Sequence, residues 1–297
     1  MNVSKYYNDI TIVIVLYHET YDLIFKTLNH LNNFKKIIID NSNNINLKKK
    51  IEDNFNIEEY ILNKKNNGFS AGHNQGIRLS STKYTMLLGP DCIIKEKDIL
   101  NLKDVLLKNE KCLIVAATSY DNKMNLTYTG GLLPENGDKD IVLNLSGDVC
   151  VQSVLAACMF FETKKLINQK LIFDEFFFLY FSDDDLCRRI SGAGNYIIQS
   201  FNSKCIHQHG NIKIKNMFIK KFIREYNFTF DKFYYHLKIN NHKKVILTFE
   251  KKIPSYFIKL ILKIIFLNLV DATGIFAKLF AYYKFRIKFL GRGGRVV

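Results

Sequence analysis

Residues 10–17, ITIVIVLY, form an unbroken apolar and β-branched run, which predicts a strand buried on both faces. Helical spacing follows over 20–33, with Leu23, Ile24, Thr27, Leu28 and Leu31 on one side. Lys36-Ile37-Ile38-Ile39 predicts a second buried strand, ending at Asp40-Asn41-Ser42. A charged stretch with helical potential covers 46–54, and 57–62 reads as a third strand. The small-residue segment 66–76, NNGFSAGHNQG, opens a helix that runs to about Ser80. Residues 84–88 predict a strand that stops at Gly89-Pro90-Asp91, 97–108 a helix and 113–117 a strand. Strands alternating with helices in this way make a mostly parallel sheet with crossover helices, so the fold class is α/β. Residues 118–150 contain Gly130-Gly131, Pro134 and Gly137 and predict hairpins or a long loop. The chain turns apolar again over 154–161.

Everything so far leads towards 173–209. There an aromatic run, Phe176 to Phe181, stops at three consecutive carboxylates, Asp183, Asp184 and Asp185. A buried run ending in clustered acids is costly unless the acids face a cleft, a metal or basic partners. Arg188 and Arg189 follow within about a helical turn, and His207-Gln208-His209 follow after another alternating stretch. Carboxylates and imidazoles near an apolar wall are the materials of metal-assisted or general-base chemistry. The same acids also suit a helix N-terminus balanced by the two arginines, and the two readings are compatible.

Composition changes the picture at one end. The 297 residues are 47% hydrophobic with three prolines, enough for a large folded domain and an appendage. The net charge is +15. Residues 1–209 hold 24 basic and 24 acidic side chains, whereas 210–297 hold 19 basic and four acidic, so all the net charge lies in the last part. Two domains are expected, 1–209 and 210–297. Six dispersed cysteines with no CxxC pair suit reduced thiols in a cytoplasmic protein. MNVSKYYNDI has no apolar signal core.

The basic end is also the most apolar. IPSYFIKLILKIIFLNLV, 253–270, is interrupted by Lys259 and Lys263 and makes a poor spanning segment. Lys252, Lys259, Lys263 and Asp271 share one helical face, and Phe257, Ile261, Leu262, Ile265 and Phe266 lie on the apolar face. That pattern predicts a helix lying on an anionic membrane surface. A helical subdomain packed on the catalytic domain, or on a second copy in a homo-oligomer, is the alternative.

In parallel sheets ligands bind beyond the carboxyl ends of the strands, where Asp40 and Asp91 fall. An acid after a buried strand and a proline turn is a position from which such a fold holds a metal. The ordered stations VLYHE, IIDNS, NNGFSAGHNQGI, LLGPDC, AACMFFE and FDEFFFLYFSDDDLCRRI with CIHQHG resemble family 2 glycosyltransferases, specifically the rhamnosyltransferase-like branch that builds bacterial surface polysaccharides. The resemblance spans roughly 10–210. It implies a GT-A fold, a nucleotide-sugar donor such as a dTDP- or UDP-sugar, Mg²⁺ or Mn²⁺, and inversion at the sugar carbon. It further implies a lipid-linked or polysaccharide acceptor and a place on the inner face of the cell membrane.

Position by position, the resemblance assigns Tyr17, Asp40, Asn66, Gly68, Asn74 and Asp91 to nucleotide-sugar binding. It assigns Asp91 and His207 to the metal, with His209 a further candidate, and Asp183 to the catalytic base. Three positions depart from the family pattern. Gly89 stands where the family carries a second polar ligand, and Ser182 where it carries Glu. Asp184 occupies a normally apolar position, and Asp185 is expected to cap the helix and pair with Arg188 or Arg189. A non-catalytic member of the family is therefore a rival reading. A nucleotidyltransferase would need a glycine-rich loop with Arg and Lys near the N-terminus, which VLYHETYDL does not supply. Nucleic-acid binding would need basic residues on the main domain, which is neutral.

Overall fold

The computed structural model describes residues 7–128, 130–136, 147–208, 214 and 216–291. The chain divides into two compact units. One comprises Met1–Glu175 and Ser182–Lys213, the other Phe176–Phe181 and Ile214–Val297. His209 lies outside the described residues.

The first unit runs β1 (Ile10–Leu16), α1 (Tyr21–Leu28), β2 (Lys35–Asp40), α2 (Ile45–Glu52), β3 (Glu59–Leu62), α3 (Phe69–Leu79), β4 (Tyr84–Leu88), β5 (Cys92–Ile94), α4 (Glu96–Lys108), β6 (Cys112–Tyr120), β7 (Leu126–Tyr128), β8 (Val149–Cys150), β9 (Cys158–Glu162), α5 (Thr163–Asn168), α6 (Ser182–Gly192) and β10 (Tyr196–His207). The sheet order is β3-β2-β1-β4-β9-β6-β10-β5, with β7 on β6 and β8 on β10. Strands β3, β2, β1, β4, β6 and β10 share one direction, while β9 and β5 run against them.

Period-2 alternation explains why β1 is apolar throughout. Ile10, Ile12, Ile14 and Leu16 pack with Ile24 and Leu28 of α1, Ile51 of α2 and Ile99 and Leu102 of α4. Val13 faces the other way, with Ile77 of α3 and Leu186 and Ile190 of α6. Both faces are covered, so each such side chain contributes about 1.5–3 kcal/mol of burial. Glycine makes the second contact possible: a Cβ at Gly76 would sit 2.2 Å from Val13 Cγ1. The small residues of 72–76 thus serve helix–sheet packing.

Two features are not visible in the apolar pattern. The short strand β5 pairs antiparallel with the end of β10. Strand β10 also carries a bulge, because Ser200 pairs with Ala117 and Lys204 with Thr118, leaving three extra residues between them. Bulges bend a strand and re-aim its side chains. Beyond this one, His207 comes level with Cys92.

The second unit contains α7 (Met217–Lys238), α8 (His242–Glu250), α9 (Ile253–Ile265), α10 (Leu269–Phe285) and a closing π turn at Arg286–Leu290. Phe233, Ile246, Phe285 and Leu290 form its core. The aromatic run Phe176–Phe181 belongs here and forms no strand. Phe177 is buried against Tyr234, at 4.8 Å between ring centroids, while Phe176 is 51% exposed. Asp231 fixes the run by accepting the N–H groups of Phe178, Leu179 and Tyr180 at 3.3, 3.0 and 2.9 Å. Helix α9 ends before Asn268, so Asp271 stands on α10 and pairs with Lys263 across the break at 3.0 Å. No described helix is long and apolar enough to cross a membrane.

Candidate active site

Strands β1, β2 and β4 all end at the same edge of the sheet. Asp40, at the end of β2, is completely buried. Its Oδ1 accepts from Ser42 N at 2.7 Å and from the Ser42 hydroxyl, and its Oδ2 from Tyr60 OH at 3.2 Å and Asn44 N at 3.4 Å. Every contact is internal, so Asp40 shapes the turn after β2. Asn41 donates to the carbonyl of Gly68 at 3.0 Å and accepts from Asn63 at 2.9 Å, tying this turn to the start of α3.

Asn66 builds that start. Its Oδ1 accepts the Gly68 N–H at 2.9 Å, and Gly68 has φ of 89°, in the left-handed region that glycine adopts without strain. Asn74 is fully buried on α3 and commits its amide to one stretch of chain. It donates to the Phe173 carbonyl and the Glu175 carboxylate, each at 2.9 Å, and accepts the Phe173 N–H at 3.0 Å. His73 beside it is a core residue: burial lowers its pKa to about 4, against the hydrogen bond to the Phe69 carbonyl.

After β1, Tyr17 is half-buried, and its N–H donates to the carboxylate of Glu19. Burial raises that carboxyl to about 7; the Tyr17 N–H opposes the shift, and the charges of Asp40 and Asp91 add to it. Glu19 was not picked out from sequence. The signal was present, in the one acid of VLYHE directly after a buried strand.

Asp91 follows β4 in a tightly held turn. Thr27 of α1 donates to the Pro90 carbonyl at 2.8 Å, and Gly89 N–H donates to the Ala157 carbonyl at 2.8 Å. Across the β5–β10 pair, His207 Nε2 lies 3.4 Å from Asp91 Oδ1. Asp91, Cys92 and His207 offer ligand atoms within 4.8 Å of one another. The Cys92 thiol is pulled down by its hydrogen bond with Cys205, but burial and the Asp91 charge outweigh this and push it up. Beside that thiol, Asp91 offers a carboxylate and His207 an imidazole. That set fits Mg²⁺ or Mn²⁺, which take one or two protein carboxylates and fill their remaining positions with water and phosphate oxygens. Gly89 offers nothing further, and a Cβ there would lie 2.9 Å from Cys92 Sγ and 3.1 Å from Asp91 Oδ1.

The three acids occupy the first turn of α6, where the helix dipole favours negative charge by about 0.3–1 kcal/mol. Asp184 is buried and accepts the Ser153 hydroxyl at 2.7 Å. Asp185 is buried and pairs with Arg189 at 2.8 Å. Asp183 alone is half-buried. The stretch 153–157 touches the Asp91 turn through Ala157 and the head of α6 through Ser153. One loop thus touches both the Asp91 turn and the head of α6.

Residues 11–186 match the sequence model of glycosyl transferase family 2. That stretch takes in Tyr17, Asp40, Asn66, Gly68, Asn74, Asp91 and Asp183 but not His207. No curated protein sequence matches the chain. Among solved structures, the chain is similar to GalNAc-T7 with UDP, GalNAc and Mn²⁺, with a TM-score of 0.54 and 12% identity over 69% of this chain and 46% of that one. It thus spans less than half of the GalNAc-T7 chain. It is also similar to the mannosyltransferase PcManGT from Pyrobaculum calidifontis in complex with GDP-Man and Mn²⁺. There the TM-score is 0.51 and the identity 11%, over 95% of this chain and 88% of the other. At such identities the likeness concerns the fold, which is of GT-A type.

Proposed function

The chain belongs to glycosyl transferase family 2, and from that premise we propose that it moves a sugar from a nucleoside-diphosphate donor to an acceptor hydroxyl with inversion. The observation that carries this reading is the Asp91–His207 pair, linked through one loop to the head of α6, where Asp183 is the half-buried acid of three. An acceptor hydroxyl is a poor nucleophile, so Asp183 takes its proton as the new glycosidic bond forms. A single displacement with one base inverts the sugar carbon.

Asp91 and His207 would hold Mg²⁺ or Mn²⁺, whose charge offsets the negative charge that develops on the departing diphosphate. Tyr17, half-buried after β1, offers its ring to the nucleotide. Asp40, Asn66, Gly68 and Asn74 support donor binding by fixing the turns around it, since their hydrogen bonds are made to the protein itself. Resemblance favours the rhamnosyltransferase-like branch, with a dTDP-linked sugar and a lipid-linked or polysaccharide acceptor in surface glycan synthesis. The exposed apolar residues of α9 and the basic end of the chain suit an anionic membrane surface, where such an acceptor is found.

A thermal-shift screen of dTDP-, UDP- and GDP-sugars with and without Mn²⁺ tests the reading, because ligand binding raises apparent stability. One nucleotide should stabilise selectively and more strongly with Mn²⁺, and Asp91→Ala should remove the Mn²⁺-dependent part. A donor that binds but is neither transferred nor hydrolysed would favour the non-catalytic reading that Gly89 and Ser182 raise.

A further inference from the structure

The helical unit has a half-open cavity of about 300 Å³ lined by residues of α7, α8 and α10 and by the start of α9. That volume is at the lower end for small-molecule sites. Lys232, Lys244, Lys252 and Lys278 line it, along with the rings of Phe249 and Tyr256. Four cations on one cavity call for counter-charge, and the unit has little to give.

Residues 210–297 contain four carboxylates, and each is committed. Glu225 pairs with Lys278 at 3.2 Å and with Arg224 at 2.8 Å. Asp231 holds the N–H groups of the aromatic run. Glu250 is held by Arg286 and Tyr282, and Asp271 by Lys221 and Lys263. Among the described residues no carboxylate comes within ion-pairing distance of Lys232, Lys244 or Lys252. Burial, and then the neighbouring charge of Lys252, push the Lys232 ammonium below its ordinary pKa. Like charges beside apolar walls cost folding energy, and an anion entering the cavity relieves that cost.

The lining is also aromatic, with Phe249 and Tyr256 rings 5.3 Å apart. Directly after Tyr256, α9 exposes Phe257, Ile258, Ile261 and Leu262, and no residue of that helix is buried. A ligand with an anionic head and an apolar tail matches both parts.

We propose that this cavity binds the phosphate of an amphiphile through Lys232, Lys244 and Lys252, with the apolar portion lying along α9. An anionic phospholipid and a free phosphate share the head chemistry. The proposal rests on the membrane reading only for the lipid as source; the anion site stands without it.

The test uses the full chain with short-chain phosphatidylglycerol, short-chain phosphatidylcholine and inorganic phosphate. Phosphatidylglycerol should bind saturably, about ten-fold tighter than phosphatidylcholine, and tighter than inorganic phosphate. Lys232→Gln/Lys252→Gln should weaken it about ten-fold, while Lys243→Gln/Lys251→Gln, which removes equal charge outside the cavity, should stay within about two-fold. Equal loss in both variants would overturn the site in favour of diffuse attraction. Inorganic phosphate binding as tightly as the amphiphile would overturn the role of α9. Lysine acylation read by mass spectrometry keeps the wild-type protein informative: phosphatidylglycerol should protect Lys232, and unchanged labelling would count against the proposal. Saturable binding of the soluble lipid without flotation on phosphatidylglycerol vesicles would keep the site and reject the membrane reading.

Discussion

Three consecutive aspartates have three different surroundings. Asp184 accepts a hydroxyl from 31 residues away, Asp185 is ion-paired one turn ahead, and Asp183 remains half-buried. Asp183→Asn should therefore lower kcat by about 10²–10⁴-fold, with donor Kd changed by less than about two-fold in calorimetry. Asp185→Asn should instead lower the melting temperature, by about 1–3 kcal/mol of stability, with turnover retained by the folded protein. That cost is below the usual one for a broken buried pair because Arg189 is 26% exposed. The reverse pattern would move the base to Asp185. The order of these acids is legible in sequence, but the Ser153 contact that fixes Asp184 is not, because a hydroxyl so far back leaves no periodic trace. Glu19 makes a second prediction. Its folded pKa of about 7 lies above the ordinary 4.5, so the folded protein keeps a proton that the unfolded chain releases. Its presence therefore costs nothing below pH 4.5 and lowers stability progressively as pH rises to about 7. Glu19→Gln, melted in a chelator across pH 4 to 8, should gain roughly 1–3 kcal/mol at the alkaline end and nothing at the acid end. A parallel pair of curves would reject that account.

At the scale of elements, the contact between α3 and β1 is set by the absence of a side chain. Gly76→Ala places a methyl 2.2 Å from Val13 Cγ1 and should cost about 1–3 kcal/mol in denaturant midpoint. Val13→Ala should return part of that cost, giving a double variant more stable than the sum of the single effects. Additive losses would mean that the helix simply shifts. Most elements were legible because burial on both faces leaves continuous apolar runs in β1, β2 and β4, and one-sided burial leaves helical spacing in α1 and α4. The exceptions have physical reasons. Strand β5 is three residues long and the β10 bulge is a matter of register with β6, so both are decided by partners elsewhere in the chain. The apolar, aromatic run 176–181 forms no strand, and Asp231 accepts three of its backbone N–H groups. The pairing of Asp91 with His207 was legible as resemblance; its geometry depends on the unannounced bulge.

For the whole molecule, charge and exposed apolar surface coincide. Residues 210–297 carry all the net charge, and Phe257, Ile261, Ile265 and Phe266 are exposed. Each lysine near an anionic surface contributes on the order of 1 kcal/mol, and salt screens that contribution while sparing apolar burial. Flotation on phosphatidylglycerol vesicles should therefore weaken, without vanishing, in high salt. Phe257→Ser/Ile261→Ser/Ile265→Ser should abolish the salt-resistant remainder. No flotation at low salt, with a dimer in sedimentation, would make α9 a self-association surface. Charge segregation was readable by counting; which lysines share a cavity was not, since they come from four separate stretches of chain. Strand β9 has one more consequence. It enters the middle of the sheet between β4 and β6, although 69 residues separate the end of β4 from its start. During synthesis the amino-terminal strands can pair early, but the free edge of β4 stays open until residues 158–162 leave the ribosome. An unpaired, buried-type strand edge recruits other strands. A nascent chain stalled at residue 150 should aggregate or bind a holdase chaperone, and release should follow as the ninth strand emerges.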